Sequence, residues 1–159
     1  MIFDFNDGWT LTKENGESFS VCLPHDAMPG EKRYPSCRNA VQSGYFPGGK
    51  YRYTKTFQIN ESDIGKNIRL HFGGVYRNAV VSVNGEAVKE NKYGYSPFTA
   101  DLTEKVTSGK NTIEVLADNS LVPNCRWYSG SGIYRPVYLE ISRKDAPTFL
   151  KFQDIRGGI

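Results

Sequence analysis

The feature that most constrains the fold is strict alternation of apolar and polar residues, which recurs along the chain, whereas helical periodicity is absent. In residues 51–59 the apolar side of the pattern consists of Tyr51, Tyr53, Phe57 and Ile59. Alternation with a period of two is typical of a β-strand with one buried face. The chain also has 16 glycines, 9 phenylalanines and 10 tyrosines. Together these features predict a fold made almost wholly of β-strands.

Five further segments show the same alternation. The apolar residues predicted to face the core are Phe19, Val21 and Leu23, then Ile68, Leu70 and Phe72, then Ala79, Val81 and Val83, then Ile113, Val115 and Ala117, and last Val137, Leu139 and Ile141. Asn84-Gly85 follows the third set and favours a type I′ hairpin turn. Short strands at regular spacing are typical of two sheets packed face to face. The sequence therefore predicts an all-β jelly-roll sandwich of two antiparallel sheets, in preference to a closed barrel.

Length and charge limit the classes of protein to which the chain can belong. With 159 residues the chain is long enough for one domain and short for two. The net charge of +3 comes from scattered basic residues, so we expect no nucleic-acid partner. No apolar run approaches the roughly 20 residues that a membrane span needs. Three cysteines without a CxxC spacing, and a start without a signal-peptide pattern, predict reduced thiols and a cytoplasmic location.

The C-terminal residues differ in composition from the rest of the chain. Residues 1–142 contain all the predicted strands, and residues 143–159 have mixed charge, one proline and a closing Gly-Gly. We expect residues 1–142 to form the jelly-roll domain. Residues 143–159 are predicted to be a linker, or the start of a following domain that is truncated in this sequence.

Two segments interrupt the regular spacing of strands. Residues 24–49 contain four prolines, and residues 118–132 end in a glycine-rich run. Long loops of this kind often carry function. If both lie at one end of the sandwich, they form a single polar and aromatic rim. The alternative is that each loop only crosses from one sheet to the other.

Residues 126–139, RWYSGSGIYRPVYL, place a cation and two aromatic rings before the last strand. Arg126, Trp127 and Tyr128 offer a fork of hydrogen-bond donors, an apolar face and a hydroxyl, which are the groups that bind sugars. Gly130 and Gly132 permit a positive φ and a close approach of the backbone to a neighbour. The alternative is a glycine-rich corner in which the aromatic residues cap the core.

Groups for independent catalysis are not evident in the sequence. There is no G-x-S-x-G motif, and no spacing pairs two carboxylates. We expect His25 to be a hydrogen-bonded structural residue at a strand end, and His71 to be solvent-facing or packed beneath a loop. No cofactor is expected and no metal-ligand spacing is present.

Seven motifs occur in an order that resembles one family. They are FNDGW, LPHDA, GYFPGGKYRYTKTF, LHFGGVYRNAVVSVNG, YGYSPFTADLT, GKNTIEVLADNS and RWYSGSGIYRPVYL. Over residues 3–142 the chain resembles the N-terminal sugar-binding domain of family 2 glycoside hydrolases, which include β-galactosidases and β-glucuronidases. Ala27 stands where the family often has tryptophan, and Asn60-Glu61 matches the acid/base signature only by chance.

The resemblance implies a non-catalytic domain of a retaining β-glycosidase, most consistent with a β-galactosidase. The two catalytic glutamates would lie on a (β/α)8 barrel, which follows an immunoglobulin-like domain. Gly48, Gly49 and the segment 126–128 match positions that complete the pocket for a β-galactoside or β-glucuronide. Arg126 departs from the acidic residue of some members and is compatible with an anionic sugar. A free-standing carbohydrate-binding module and a purely structural or assembly domain remain alternatives, and the parent enzyme could be a homo-oligomer.

Overall fold

The computed structural model describes residues 1–37, 40–121 and 129–146. Ten β-strands lie in this part of the chain. They are β1 (Ile2–Asp4), β2 (Trp9–Lys13), β3 (Ser18–Val21), β4 (Lys50–Ile59), β5 (Asn67–Phe72), β6 (Ala79–Val83), β7 (Glu86–Asn91), β8 (Phe98–Asp101), β9 (Gly109–Asp118) and β10 (Val137–Ser142). Three short 3-10 helices occupy Met28–Gly30, Ala40–Ser43 and Glu61–Asp63. No helix among the described residues is long and apolar enough to cross a membrane.

The strands form two antiparallel sheets. The first has the order β1-β10-β5-β8 and the second has the order β3-β2-β4-β9-β6-β7. The first strand, β1, forms one edge of the four-stranded sheet, where it pairs with the last strand, β10. The prediction of an all-β jelly-roll sandwich with two antiparallel sheets is confirmed.

The core lies between the two sheets and is built from the alternating apolar faces. Central residues from both sheets, including Leu70, Phe72, Val81 and Val115, are fully buried. In β6 and β9 the residues on either side of Val81 and Val115 are only partly buried, as the period-two pattern predicts. The prediction of which residues face the core is thus confirmed for the strands at the centre of each sheet.

Phe19 is the exception among the predicted core residues. Its side chain is 45% exposed because β3 is an edge strand of the larger sheet. The ammonium group of Lys13 lies 5.3 Å from the Phe19 ring centroid, which gives the exposed ring a cationic neighbour. Alternation identified this strand but did not reveal that its inner face is only partly covered.

Lys55 explains the single break in the apolar face of β4. Its register places it between Tyr53 and Phe57, on the core side of the strand. The Lys55 Nζ donates hydrogen bonds to the backbone oxygens of Phe5, at 3.1 Å, and Asp7, at 2.7 Å. It also lies 3.9 Å from the Phe5 ring centroid. Burial lowers the pKa of this ammonium group, and the carbonyl contacts compensate for part of its lost hydration.

The Asn84-Gly85 turn between β6 and β7 has the predicted form. Asn84 has a φ of +50° and Gly85 a φ of +86°, as a type I′ turn requires. The Asn84 amide side chain donates to Asn111 Oδ1 at 2.8 Å and accepts from the Thr112 backbone N–H at 3.0 Å. These contacts fix the hairpin to the start of β9.

Truncation of a central core residue tests this assignment of the core. We expect Leu70→Ala to reduce the free energy of unfolding by about 2–5 kcal/mol, because it removes buried methyl groups and leaves a cavity. Urea unfolding followed by circular dichroism measures the change. Ile64→Ala, at a side chain that is 43% exposed, serves as the control and should cost less than about 1 kcal/mol. Equal losses in the two variants would contradict the assigned core.

Candidate functional site

The two long loops meet at one end of the sandwich. The His25 backbone N–H donates to the Ile133 carbonyl at 2.8 Å, and the Ala27 N–H donates to the Ser131 carbonyl at 2.8 Å. We call this contact between residues 25–27 and residues 129–133 the loop junction. The junction brings the two loops together, as a shared rim requires, whereas the aromatic residues predicted for that rim lie outside the described residues.

Asp26 is the polar centre of the loop junction. Its Oδ1 accepts hydrogen bonds from the backbone N–H groups of Met28, at 3.0 Å, and Ser131, at 2.9 Å. A Cβ at position 130 would lie 2.5 Å from Asp26 Oδ2. Glycine at position 130 is therefore needed for the close approach of the two loops, and its φ is not in the positive range.

Gly132 allows a second close approach, between the loop junction and strand β4. Gly132 has a φ of +120°, and a Cβ there would overlap the Tyr53 hydroxyl. That hydroxyl lies 2.9 Å from Nδ1 of His25. The close approach predicted for both glycines is thus found, and the positive φ is found at Gly132 only.

Asn119 joins the end of β9 to both loops. Its side chain is fully buried and donates through Nδ2 to the Ser131 hydroxyl at 2.8 Å. Its backbone N–H donates to the Gly49 carbonyl at 2.8 Å. Nothing in the sequence distinguished this asparagine from those of ordinary turns, because its partners lie far away along the chain.

The electrostatic state of the junction follows from burial. Partial burial lowers the pKa of His25, and the nearby Asp26 carboxylate opposes this effect only in part. Burial, followed by the charge of Asp26, raises the pKa of Tyr53. At neutral pH the imidazole is therefore uncharged and the phenol is protonated, which suits a hydrogen bond from the Tyr53 hydroxyl to Nδ1. This pair has the character of a structural contact.

The predicted Gly48 and Gly49 line a groove of about 590 Å³, and Asn119 ties Gly49 to Ser131 of the loop junction. Its walls include the Phe19 and Tyr34 rings. Lys13 and Glu31, also on its wall, form an ion pair with an N···O distance of 2.8 Å. Aromatic faces next to charged hydrogen-bonding groups can contact the C–H faces and hydroxyls of a polar ligand.

The sequence model described as "Glycosyl hydrolases family 2, sugar binding domain" matches residues 32–142. The chain belongs to this family. It is 43% identical over 121 residues to "Beta-galactosidase BoGH2A" of Bacteroides ovatus, covering 74% of this chain and 14% of that relative. It is 33% identical over 147 residues to a "Putative beta-glucuronidase" of Formosa agariphila, covering 86% of this chain and 14% of that relative.

A solved family structure supports the same assignment. The crystal structure of a beta-glycosidase from Bacteroides vulgatus matches with a TM-score of 0.77 and 34% identity. The match covers 90% of this chain and 20% of that structure. The chain therefore spans a small fraction of the length of the family members that it resembles.

The predicted sugar-contacting residues of this family 2 domain fall into two groups. Gly48 and Gly49 line the groove, and Gly49 is held by Asn119. Arg126, Trp127 and Tyr128 lie outside the described residues, so their role stays a prediction. The described residues contain no cluster of three or more His, Cys, Asp or Glu side chains that could hold a metal ion.

The two histidines differ in environment. His25 is a hydrogen-bonded structural residue, as expected. The solvent-facing alternative for His71 is wrong, since this side chain is 2% exposed. His71 Nε2 lies 2.7 Å from Glu140 Oε2, and Nδ1 lies 2.9 Å from the Thr99 hydroxyl. Strand alternation placed His71 on the outer face, where the structure buries it between Thr99 of β8 and Glu140 of β10.

Substitution at Gly132 tests the close approach in the loop junction. Gly132→Ala should destabilise the chain by about 2–4 kcal/mol, since it adds both backbone strain and a clash with Tyr53. Gly16→Ala is the matched control because Gly16 has a φ of +87° but open space around its Cβ position. In a Tyr53→Phe background the cost of Gly132→Ala should fall. Equal costs at both glycines, with no coupling to Tyr53, would contradict the clash.

The pH dependence of stability tests the state of His25. Because the pKa of His25 is lower in the folded chain than the unfolded value of about 6.5, the unfolded chain binds more protons near that pH. Stability from this group is present above about pH 6.5 and is lost as the pH falls through the folded pKa. Urea unfolding at several pH values should show a smaller loss for His25→Gln than for the wild type. His71→Gln should retain the part of the pH dependence that comes from His25. A loss of stability with falling pH that is the same in His25→Gln and in the wild type would contradict the assignment.

Proposed function

We propose that this chain is the non-catalytic N-terminal domain of a retaining β-glycosidase, where it shapes the sugar pocket and packs against the catalytic barrel. The observation that carries the proposal is the loop junction of a family 2 sugar-binding domain. It joins residues 25–27 to residues 131–133, and Asn119 ties Ser131 to Gly49, which lines a groove together with Gly48. A rim held in this way can present polar groups to a sugar without a large cost in loop ordering.

The segment between Asn119 and Ser131 is the second part of the proposed sugar contact. These two residues are joined by a buried hydrogen bond, and Arg126, Trp127 and Tyr128 lie between them in sequence. The contact fixes the two ends of the segment relative to Gly49. We propose that the three residues bind the sugar with Gly48 and Gly49.

A β-galactoside is the proposed substrate of the parent enzyme. The higher identity, 43%, is to a protein named beta-galactosidase, compared with 33% to one named putative beta-glucuronidase. Arg126 favours the second candidate, a β-glucuronide, because a guanidinium pairs well with a carboxylate. The sugar titration described below distinguishes the two substrates.

The proposed partners are the other domains of the same enzyme. We propose that residues 1–142 form the domain and that residues 143–159 lead towards an immunoglobulin-like domain and a barrel carrying the catalytic glutamates. The end of β10 at Ser142 supports this boundary. The small share of each relative that the chain covers supports the presence of further domains in the parent protein.

An NMR titration of the 159-residue chain with galactose, glucuronic acid and lactose tests the sugar contact. The indole N–H of Trp127 should shift in a saturable way, with an affinity no tighter than the millimolar range expected for about −4 kcal/mol of binding free energy. The Trp9 indole is fully buried and donates to the Phe5 carbonyl at 2.8 Å, so it serves as an internal control. No shift at Trp127 would contradict a sugar contact made by this chain alone and would favour a structural role.

An assay with nitrophenyl β-galactoside and nitrophenyl β-glucuronide tests the non-catalytic assignment. We expect no hydrolysis above the rate without protein, because the resemblance places both catalytic glutamates on the barrel. A preparation free of other glycosidases should give the same result at every protein concentration. Turnover that rises in proportion to the concentration of the chain would overturn the assignment.

A further inference from the structure

Two tyrosines project from the short loop between β7 and β8. Tyr93 is 64% exposed and Tyr95 is 50% exposed. Their ring centroids lie 5.7 Å apart, with an angle of 66° between the ring planes. We call these residues the tyrosine pair. A pair of adjacent aromatic rings at the surface is a feature that commonly marks a binding site.

The loop that carries the tyrosine pair is fixed by specific contacts. The Tyr134 hydroxyl donates to the Gly94 carbonyl at 2.8 Å, and the Asn91 side-chain amide donates to the Tyr93 carbonyl at 2.7 Å. These bonds hold the backbone on both sides of Gly94. The exposed rings are thus attached to an ordered loop, which reduces the entropy lost when a ligand binds.

Tyr76 supports the tyrosine pair from below. It is only 6% exposed, and its ring centroid lies 5.2 Å from that of Tyr95. A Cβ at position 94 would overlap the Tyr76 ring, so the loop depends on glycine at that point. A larger residue at position 94 would displace either the loop or the Tyr76 ring, so the contact between them requires glycine.

The same Tyr76 connects the tyrosine pair to the loop junction. Its backbone N–H donates to the Gly132 carbonyl at 2.9 Å, and the Gly132 N–H donates to the Tyr76 carbonyl at 2.8 Å. The pair therefore lies next to the loop junction, although it shares no residue with the proposed sugar-contacting set. A ligand on the tyrosine pair would therefore lie near the loop junction.

We propose that Tyr93 and Tyr95 form a separate contact site for pyranose rings of a β-linked oligosaccharide. Aromatic faces carry partial negative charge and attract the C–H groups on the apolar face of a pyranose, while the phenol hydroxyls can bond to sugar hydroxyls. The exposed residues beside the pair include Lys92, which adds a donor. This site does not require that the loop junction bind sugar.

The size and chemistry of the tyrosine pair favour a sugar over a protein partner. A stable protein interface commonly buries at least about 1,000 Å² in total, whereas this patch consists of two rings with polar neighbours. The two rings meet edge to face at an angle of 66°, so they form no continuous flat apolar surface. Tyr93 and Tyr95 are each at least half exposed, so both rings can contact neighbouring sugar rings of an oligosaccharide.

An NMR titration with β-1,4-galactotetraose and cellotetraose tests the proposal on the 159-residue chain. We expect saturable shifts of the Tyr93 and Tyr95 ring signals and of the Gly94 amide, with a dissociation constant in about the millimolar range. Tyr93→Ala should raise that constant about fivefold or more, and Tyr93→Trp should preserve binding because stacking is retained. Tyr45→Ala, at a tyrosine that is 43% exposed and does not line the groove, is the matched control and should bind as the wild type does.

Three results would overturn the proposal. They are the absence of shifts at the tyrosine pair with either tetrasaccharide, equal binding by Tyr93→Ala and wild type, and shifts that follow protein concentration because the chain self-associates through the pair. The indole signal of Trp127 reports on the proposed pocket in the same spectra. Failure of the pocket and failure of the tyrosine pair are therefore distinguishable.

Discussion

The hydrogen bond between Asp26 and the Ser131 backbone is the contact on which the functional end of the domain depends. It joins positions that are 105 residues apart, and it forms only because Gly130 leaves room for the carboxylate. Each such bond contributes about 1 kcal/mol net, and a bond to a charged group about 1.5–3 kcal/mol. With the backbone bonds of His25 and Ala27, the contact offsets several kcal/mol of loop-ordering entropy.

Tyr53 links this junction to the core. It lies in β4, the strand that pairs with β9 over ten residues, and it is fully buried. Its hydroxyl meets His25 on one side, and the Gly132 backbone approaches it on the other. The two loops are therefore positioned by the most extensively paired part of the larger sheet. We expect the rim to be as rigid as the sandwich for this reason. The Gly132 backbone also pairs with the backbone of Tyr76, whose ring contacts Tyr95 of the tyrosine pair.

Periodicity in the sequence was enough to predict the class of fold and the core faces of the central strands, because burial on one face of a sheet imposes a period of two. It was insufficient at Phe19 and His71, where exposure depends on which strand forms an edge and on which side chains cover a face. The glycine-rich run did predict a close approach. Its partners Asp26 and Asn119 could not be predicted, since turn residues with polar side chains look alike until the loops are placed together. The roles of Arg126, Trp127 and Tyr128 stay predictions.

Native-state hydrogen exchange of the 159-residue chain tests the central claim that the loop junction is part of the rigid fold. The backbone amides of His25, Ala27 and Ser131 donate the bonds that join the loops. We expect their protection factors to lie within about tenfold of those in β9, as for amides that open only when the sandwich unfolds. Exchange at the rate of exposed loop amides would contradict the account, because the two loops would then be ordered independently of each other.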